Sequence, residues 1–298
     1  MSYIDKLVAQ VLLVVKTFGL DEITPVILSN GGNLIIHLAP YSIVARLANV
    51  IALEETNIAY KRLIRELQIA RHLQIKNVPV LLPTDLIDAG PHNVDDTWMT
   101  LWNYVPPIEL QQPSPSESAE LVSNLSIAMK DFSEELPVLG VWERTRRSAE
   151  RLMKNSDPRI QSLLEMFHEI DKKIRLETNN LIPSHGDAHA GNLVPSTDGW
   201  IWTDFEDGSL MPAYWDLASF VGNLALFNGF QDPTFSYMLS NKKVIADSKA
   251  FTFALTARIL MSTLGNLDYA FEGYGNLEFA TQQLELAGDF ISDLDQIT

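Results

Sequence analysis

The sequence predicts an α+β fold, with a small strand-rich part (1–105) ahead of a larger helical part (106–298), and three observations carry that expectation. Short apolar runs bounded by turn residues crowd the chain before Tyr104. A connector rich in Pro, Ser and Gln (VPP, then QQPSPSES) follows it. From Glu117 onward, apolar residues recur mostly at helical spacing.

Taken in order, the first helix is expected over Ile4–Phe18. It contains LVAQVLLVV, but Gln10 and Lys16 interrupt the run; it is too short to span a bilayer and lacks a signal-peptide cleavage site. Three strands follow in TPVILS, NLIIHLA and SIVARLA. Asn30, Gly31, Gly32 and Asn33 stand between the first two, and Asn-Gly marks a hairpin because its turn residues take positive φ. A helix is expected from Glu54 to Leu73, with Ala59, Leu63, Leu67 and Ala70 on its buried face. DLIDAG and TWMTLWNYV read as strands joined by a turn at PHNVDD. Helices are expected over Glu117–Leu136, Trp142–Asn155 and Pro158–Asn179. A strand-like LIPSHGD, the hairpin NLVPSTDGWIWTDF and a helix from about Ala213 come next, with later helices including Lys249–Ala270 and Leu277–Leu294. No internal repeat or low-complexity tract interrupts this order.

Composition narrows the function classes. The 298 residues are 46% hydrophobic, enough for a substantial core, and the net charge is −16. Such a surface repels polyanions, so neither nucleic acid nor an anionic membrane is an expected partner. The absence of cysteine excludes disulfides, thiolate metal sites and cysteine nucleophiles, and the expectation is a cytoplasmic protein.

The chemistry concentrates in HGDAHAGN (His185–Asn192), then WTDFEDG and WDLASF. Asp187, Asn192 and Asp204 appear in the order D-x4-N…D-F. Phosphoryl transfer needs one carboxylate to orient a hydroxyl, and an amide oxygen plus a second carboxylate to hold magnesium against nucleotide phosphates. That ion takes hard oxygen ligands and usually only one or two protein carboxylates. Asp187 follows an apolar approach and precedes a glycine-containing loop, which suits an exposed base. Asn192 lies five residues on, within reach of a tight loop. Asp204 follows the strand WIWT, a rigid place from which to aim a metal ligand.

These segments resemble the phosphotransferase motif of the aminoglycoside phosphotransferase and choline kinase superfamily, the small-molecule branch of the protein-kinase-like fold. The resemblance implies two lobes: a small antiparallel-sheet lobe and a larger helical lobe. It implies Asp187 as catalytic base, Asn192 and Asp204 as magnesium ligands, and structural roles for His185, beneath the loop, and Asp216, which braces it. His189 is read as a loop residue, since imidazole is not magnesium's preferred ligand. On the nucleotide side, Arg46 stands where the family's VLK-type strand carries lysine, with Glu66 on the following helix as its partner. Asn30, Gly31 and Gly32 would cover the phosphates. The hinge would run from Leu101 through Asn103 to Tyr104, with backbone groups reading the purine edge of ATP, GTP not being excluded by any side chain.

Two features point to a small-molecule hydroxyl as acceptor. Gly186 stands where protein kinases carry the arginine of H-R-D, and only eleven residues separate Asp204 from Asp216, too few for a peptide-docking segment. Glu206, Asp207, Trp215, Asp268 and Glu272 are candidate acceptor contacts, an aromatic and acidic set that suits an amine. The rival readings are a catalytically silent, nucleotide-binding relative and a metal-dependent phosphohydrolase using His185, Asp187, His189 and Asp204.

Overall fold

Alternating burial along Asn33–Ala39 sets the frame: Leu34, Ile36 and Leu38 face inward while their neighbours stay half-exposed, the signature of a strand with one covered face. The computed structural model describes residues 2–30, 32–48 and 56–297. In chain order the elements are α1 (Tyr3–Lys16), β1 (Thr24–Asn30), β2 (Asn33–Ala39), β3 (Ile43–Ala48), α2 (Thr56–Ile75), β4 (His92–Val94) and β5 (Thr97–Asn103). Then come α3 (Pro115–Met129), α4 (Gly140–Leu152), α5 (Pro158–Leu176), β6 (Ile182–Ser184), β7 (Leu193–Ser196), β8 (Gly199–Trp202) and β9 (Ser209–Met211). Last are α6 (Trp215–Asn228), α7 (Pro233–Ser240), α8 (Ser248–Phe271) and α9 (Leu277–Ile297). The α+β class is as the sequence indicates. Among the described residues no helix is long and apolar enough to cross a membrane.

The chain divides into two compact units that interleave: 1–110 with 193–206, and 111–192 with 207–298. The β7–β8 hairpin therefore belongs with the first unit, although its sequence lies deep in the helical part. The first unit is built on an antiparallel sheet of order β1-β2-β3-β5-β4. Leu7, Val11 and Val15 of α1 close its core against Ile36, Leu38, Ile43 and Leu101. Two expectations fail here. DLIDAG is not a strand, and β4 forms from His92–Val94, inside the stretch expected to turn. The ladder pairs Val94 with Thr97, which leaves Asp95-Asp96 as the turn, and Asp95 takes φ 55°, a conformation that aspartate tolerates better than most.

In the second unit α8 is the central helix: α4, α5, α6 and α9 all pack on it. Its sequence is apolar nearly all round, as a buried helix requires. β6 and β9 form a short antiparallel pair on either side of the chemistry-bearing segment.

Candidate active site

In the second unit, the strand β6 delivers the chain into His185-Gly186-Asp187, and buried Asp216 at the start of α6 fixes the turn. Its carboxylate accepts the amides of His185 (3.0 Å) and Gly186 (3.2 Å). Burial pushes the Asp216 carboxyl above its usual range, against the opposing pull of His185 and those two amides. Gly186 has φ 89°, and a Cβ there would sit 2.2 Å from the carbonyl oxygen of Asp207. No other residue fits. His185 is wholly buried, and its Nδ1 accepts the amide of Asp187.

Asp187 emerges from this brace into an ion pair. Arg258, buried on α8, donates from Nη2 to Asp187 Oδ1 at 2.6 Å, while its Nε is anchored on Ser219 Oγ at 3.0 Å. His189 takes the amide of Gly191 on Nδ1, which leaves Nε2 as the protonated nitrogen, 3.5 Å from Asp187 Oδ2. Burial works against ionisation. Arg258, His189 and His185 outweigh it and hold the Asp187 carboxyl far below the usual carboxylate range. Asn192 donates its amide to the carbonyl of Asp187 at 2.8 Å, so its own side-chain oxygen is the end left to accept or ligate.

In the first unit the second cluster gathers on Arg46. This buried residue of β3 donates to Glu66 of α2, to Asp204 Oδ1 at 2.7 Å and to Glu206 Oε2 at 3.0 Å. Asn33 also donates to Glu206 (3.3 Å), and Arg65 to its carbonyl. Asp204 has φ 66°, a left-handed conformation that costs a non-glycine residue about 1–2 kcal/mol and often marks a functional position.

Several expected contacts are rearranged. Leu101 is fully buried and both its backbone groups are used: its amide donates to Ala89 and its carbonyl accepts from Thr84. Its amide is therefore not available to a purine, because the segment 84–89 packs alongside it. The amides of Asn103 and Tyr104 are likewise taken by Leu82 and Ser42. Asn30 closes β1, Gly31 lies outside the described residues, and a Cβ on Gly32 would meet nothing within 4 Å. Trp215 is fully buried, with its indole N–H on the carbonyl of Gly186. Asp207 and Asp268 are not open to an amine, since Arg144 and Arg151 occupy them. Glu206 belongs to the Arg46 cluster rather than to an acceptor wall. Glu272 is exposed at the end of α8.

Sequence reasoning missed Arg258, Ser219 and Arg144. The signal for Arg258 was present: it is the one charged residue in the apolar run Phe251–Leu267. Asp187 and Asn192 come together in one unit; Arg46, Glu66 and Asp204 come together in the other. Among the described residues, no group of three or more His, Asp or Glu side chains is placed to hold a metal unaided.

The model of the APH phosphotransferase enzyme family matches residues 50–237. Comparison with curated proteins gives no match. Among solved structures, the chain is similar to the amicoumacin kinase hAmiN, determined with AMP-PNP, Ca2+ and amicoumacin (TM-score 0.70, 14% identity, 96% of this chain and 97% of that one). It is also similar to the choline kinase LicA of Streptococcus pneumoniae (0.67, 14%, 98% and 100%) and to the spectinomycin phosphotransferase APH(9)-Ia with ADP and spectinomycin (0.66, 14%, 97% and 98%). These likenesses share the protein-kinase-like fold. The chain belongs to the phosphotransferase enzyme family and is a small-molecule kinase.

Proposed function

We propose that this kinase transfers the γ-phosphate of ATP, with magnesium, to a hydroxyl of a small molecule, and that Asp187 orients the hydroxyl and takes its proton. One observation carries the reading. Asp187 is held ionised on a braced loop, with Oδ1 committed to Arg258 and Oδ2 beside His189. A carboxylate fixed this way is oriented before the substrate arrives, and orientation is the larger part of what a phosphotransferase base contributes.

Asn192 and Asp204 are the residues that would hold the ion. The donor chemistry fits: both offer hard oxygens, the Asn192 amide nitrogen is already engaged, and the strained backbone at Asp204 supports a dedicated role. One carboxylate and one amide leave further coordination to phosphate and water. When bound, magnesium neutralises charge on the phosphate oxygens. Arg46, steadied by Glu66, is the proposed phosphate contact, with Asn30–Asn33 covering it. Backbone beyond Asn103 is the proposed purine contact. ATP is favoured as donor because two kinases of this fold were determined with AMP-PNP and ADP.

A silent nucleotide-binding relative is the second reading, and the three carboxylates already on Arg46 favour it. Labelled ATP separates the two. Incubation with magnesium and a panel of hydroxyl compounds should label one of them, and Asp187→Asn should abolish the labelling. Nucleotide binding without transfer would support the silent reading, and label confined to added proteins would overturn the small-molecule one.

A further inference from the structure

We infer that the acceptor is a hydroxyl compound bearing an anionic group, a carboxylate or phosphate, which docks on the arginine face of α4. This rests on the kinase reading above and deepens it. Arg144, Arg147 and Arg151 recur at i, i+3 and i+7, so they form one stripe along α4; Glu143, Arg146 and Glu150 pair among themselves on a different face. The stripe begins at the catalytic loop. Arg144 pairs with Asp207, whose carbonyl lies against Gly186, the residue before Asp187. It then runs outward for about 10 Å to Arg151, given the rise of a helix over two turns.

Charge decides what this surface accepts. A cationic acceptor needs free carboxylates, and the acids nearest the loop are occupied: Asp187 by Arg258, Asp207 by Arg144, and Asp268, further along α8, by Arg151. Arg258 and Arg144 are each matched by one acid, Asp187 and Asp207, whereas Arg147, one turn along α4 from Arg144, has no acid of its own among the described residues. Glu150 and Glu272 act on Arg151 at the far end, which leaves the loop end the more positive. Arg147 is exposed and has no ion-pair partner among the described residues, while Arg144 keeps 40% of its side chain open. The exposed planar fork of Arg147 is built to meet a carboxylate or phosphate in two-pronged fashion. On a chain of net charge −16, an unpaired arginine between two half-exposed ones, next to the reacting loop, concentrates positive charge where the acceptor must lie.

The test uses acceptor sets matched except for one charge: glycerate, glycerol and 3-amino-1,2-propanediol, and glucuronate, glucose and glucosamine. ADP release is followed with magnesium and ATP on the full chain. The anionic member should be the best acceptor of at least one set, with kcat/KM about tenfold or more above its amine. Arg147→Gln should raise the KM for that acceptor about tenfold with kcat and the KM for ATP unchanged, and Arg147→Lys should recover part of it. Arg146→Gln, on the other face, should change neither. Preference for the amine, indifference to charge, no turnover of either anion, or an Arg147→Gln effect on ATP alone would each overturn the proposal. Thermal stabilisation by ATP, strong only with magnesium, is measured alongside; its absence would overturn the kinase reading itself rather than the choice of acceptor.

Discussion

The two carboxylates proposed for base and metal ligand, Asp187 and Asp204, have surroundings that differ in kind. Asp187 has one arginine, which is buried, tied to Ser219 and not shared with another acid. Asp204 shares Arg46 with Glu66 and Glu206, and even with Arg65 at the Glu206 carbonyl the acids outnumber the guanidiniums three to two. Glu66 Oε2 is in addition buried without a partner. The first arrangement is electrostatically complete and fixes a geometry. The second is short of positive charge: Arg46 and Glu66 are buried, Asp204 and Glu206 open partly to solvent, and carboxylates gathered on one guanidinium repel one another. A divalent cation would relieve it. On the proposed reading, the contrast separates a group that positions from a group that ligates.

Substitutions can break that contrast. The largest effect is expected of Asp187→Asn: kcat falls about a thousandfold while magnesium-dependent ATP affinity, read by calorimetry, stays put. Next comes Arg258→Met, which frees Asp187 from its clamp; turnover drops about a hundredfold at unchanged KM for ATP. Leaving that carboxylate unpaired also costs about 2 kcal/mol in denaturant unfolding. Arg258→Lys should regain most of the stability and only part of the rate, because ammonium cannot span Ser219 and Asp187 together. A stability loss with kcat untouched would reduce Arg258 to a packing residue. Arg46→Lys is milder, with about a tenfold rise in the KM for ATP, since lysine cannot serve three carboxylates at once. The smallest effect is expected of Glu272→Gln, which is exposed and should leave kcat/KM within about twofold.

The local geometry of the His185–Asn192 loop follows from residues that act close by. Gly186 must be glycine, Asp216 must cap two amides, and the order of Asp187, Asn192 and Asp204 fits a known chemistry. Most strands and helices followed from apolar spacing, but β4 and β9 did not. What stayed hidden depends on partners remote in sequence. Asp187 meets Arg258 across 71 residues and Asp207 meets Arg144 across 63, and spacing says nothing about such pairs. Trp215 was misread for the same reason: an aromatic beside a motif looks available until packing seals it. Leu101 failed because Ala89 and Thr84, loop residues outside the sheet, take its backbone groups, and an apolar strand gives no sign of them.

The central claim is that Asp204 ligates a metal on the nucleotide whereas Asp187 does not. Calorimetric titration of ATP with magnesium, and again with a chelator, into the wild type, Asp204→Ala and Asp187→Asn tests it most directly. The account predicts metal-dependent binding to the wild type and to Asp187→Asn, and its loss in Asp204→Ala. Equal binding by all three, or binding indifferent to the chelator, would contradict it.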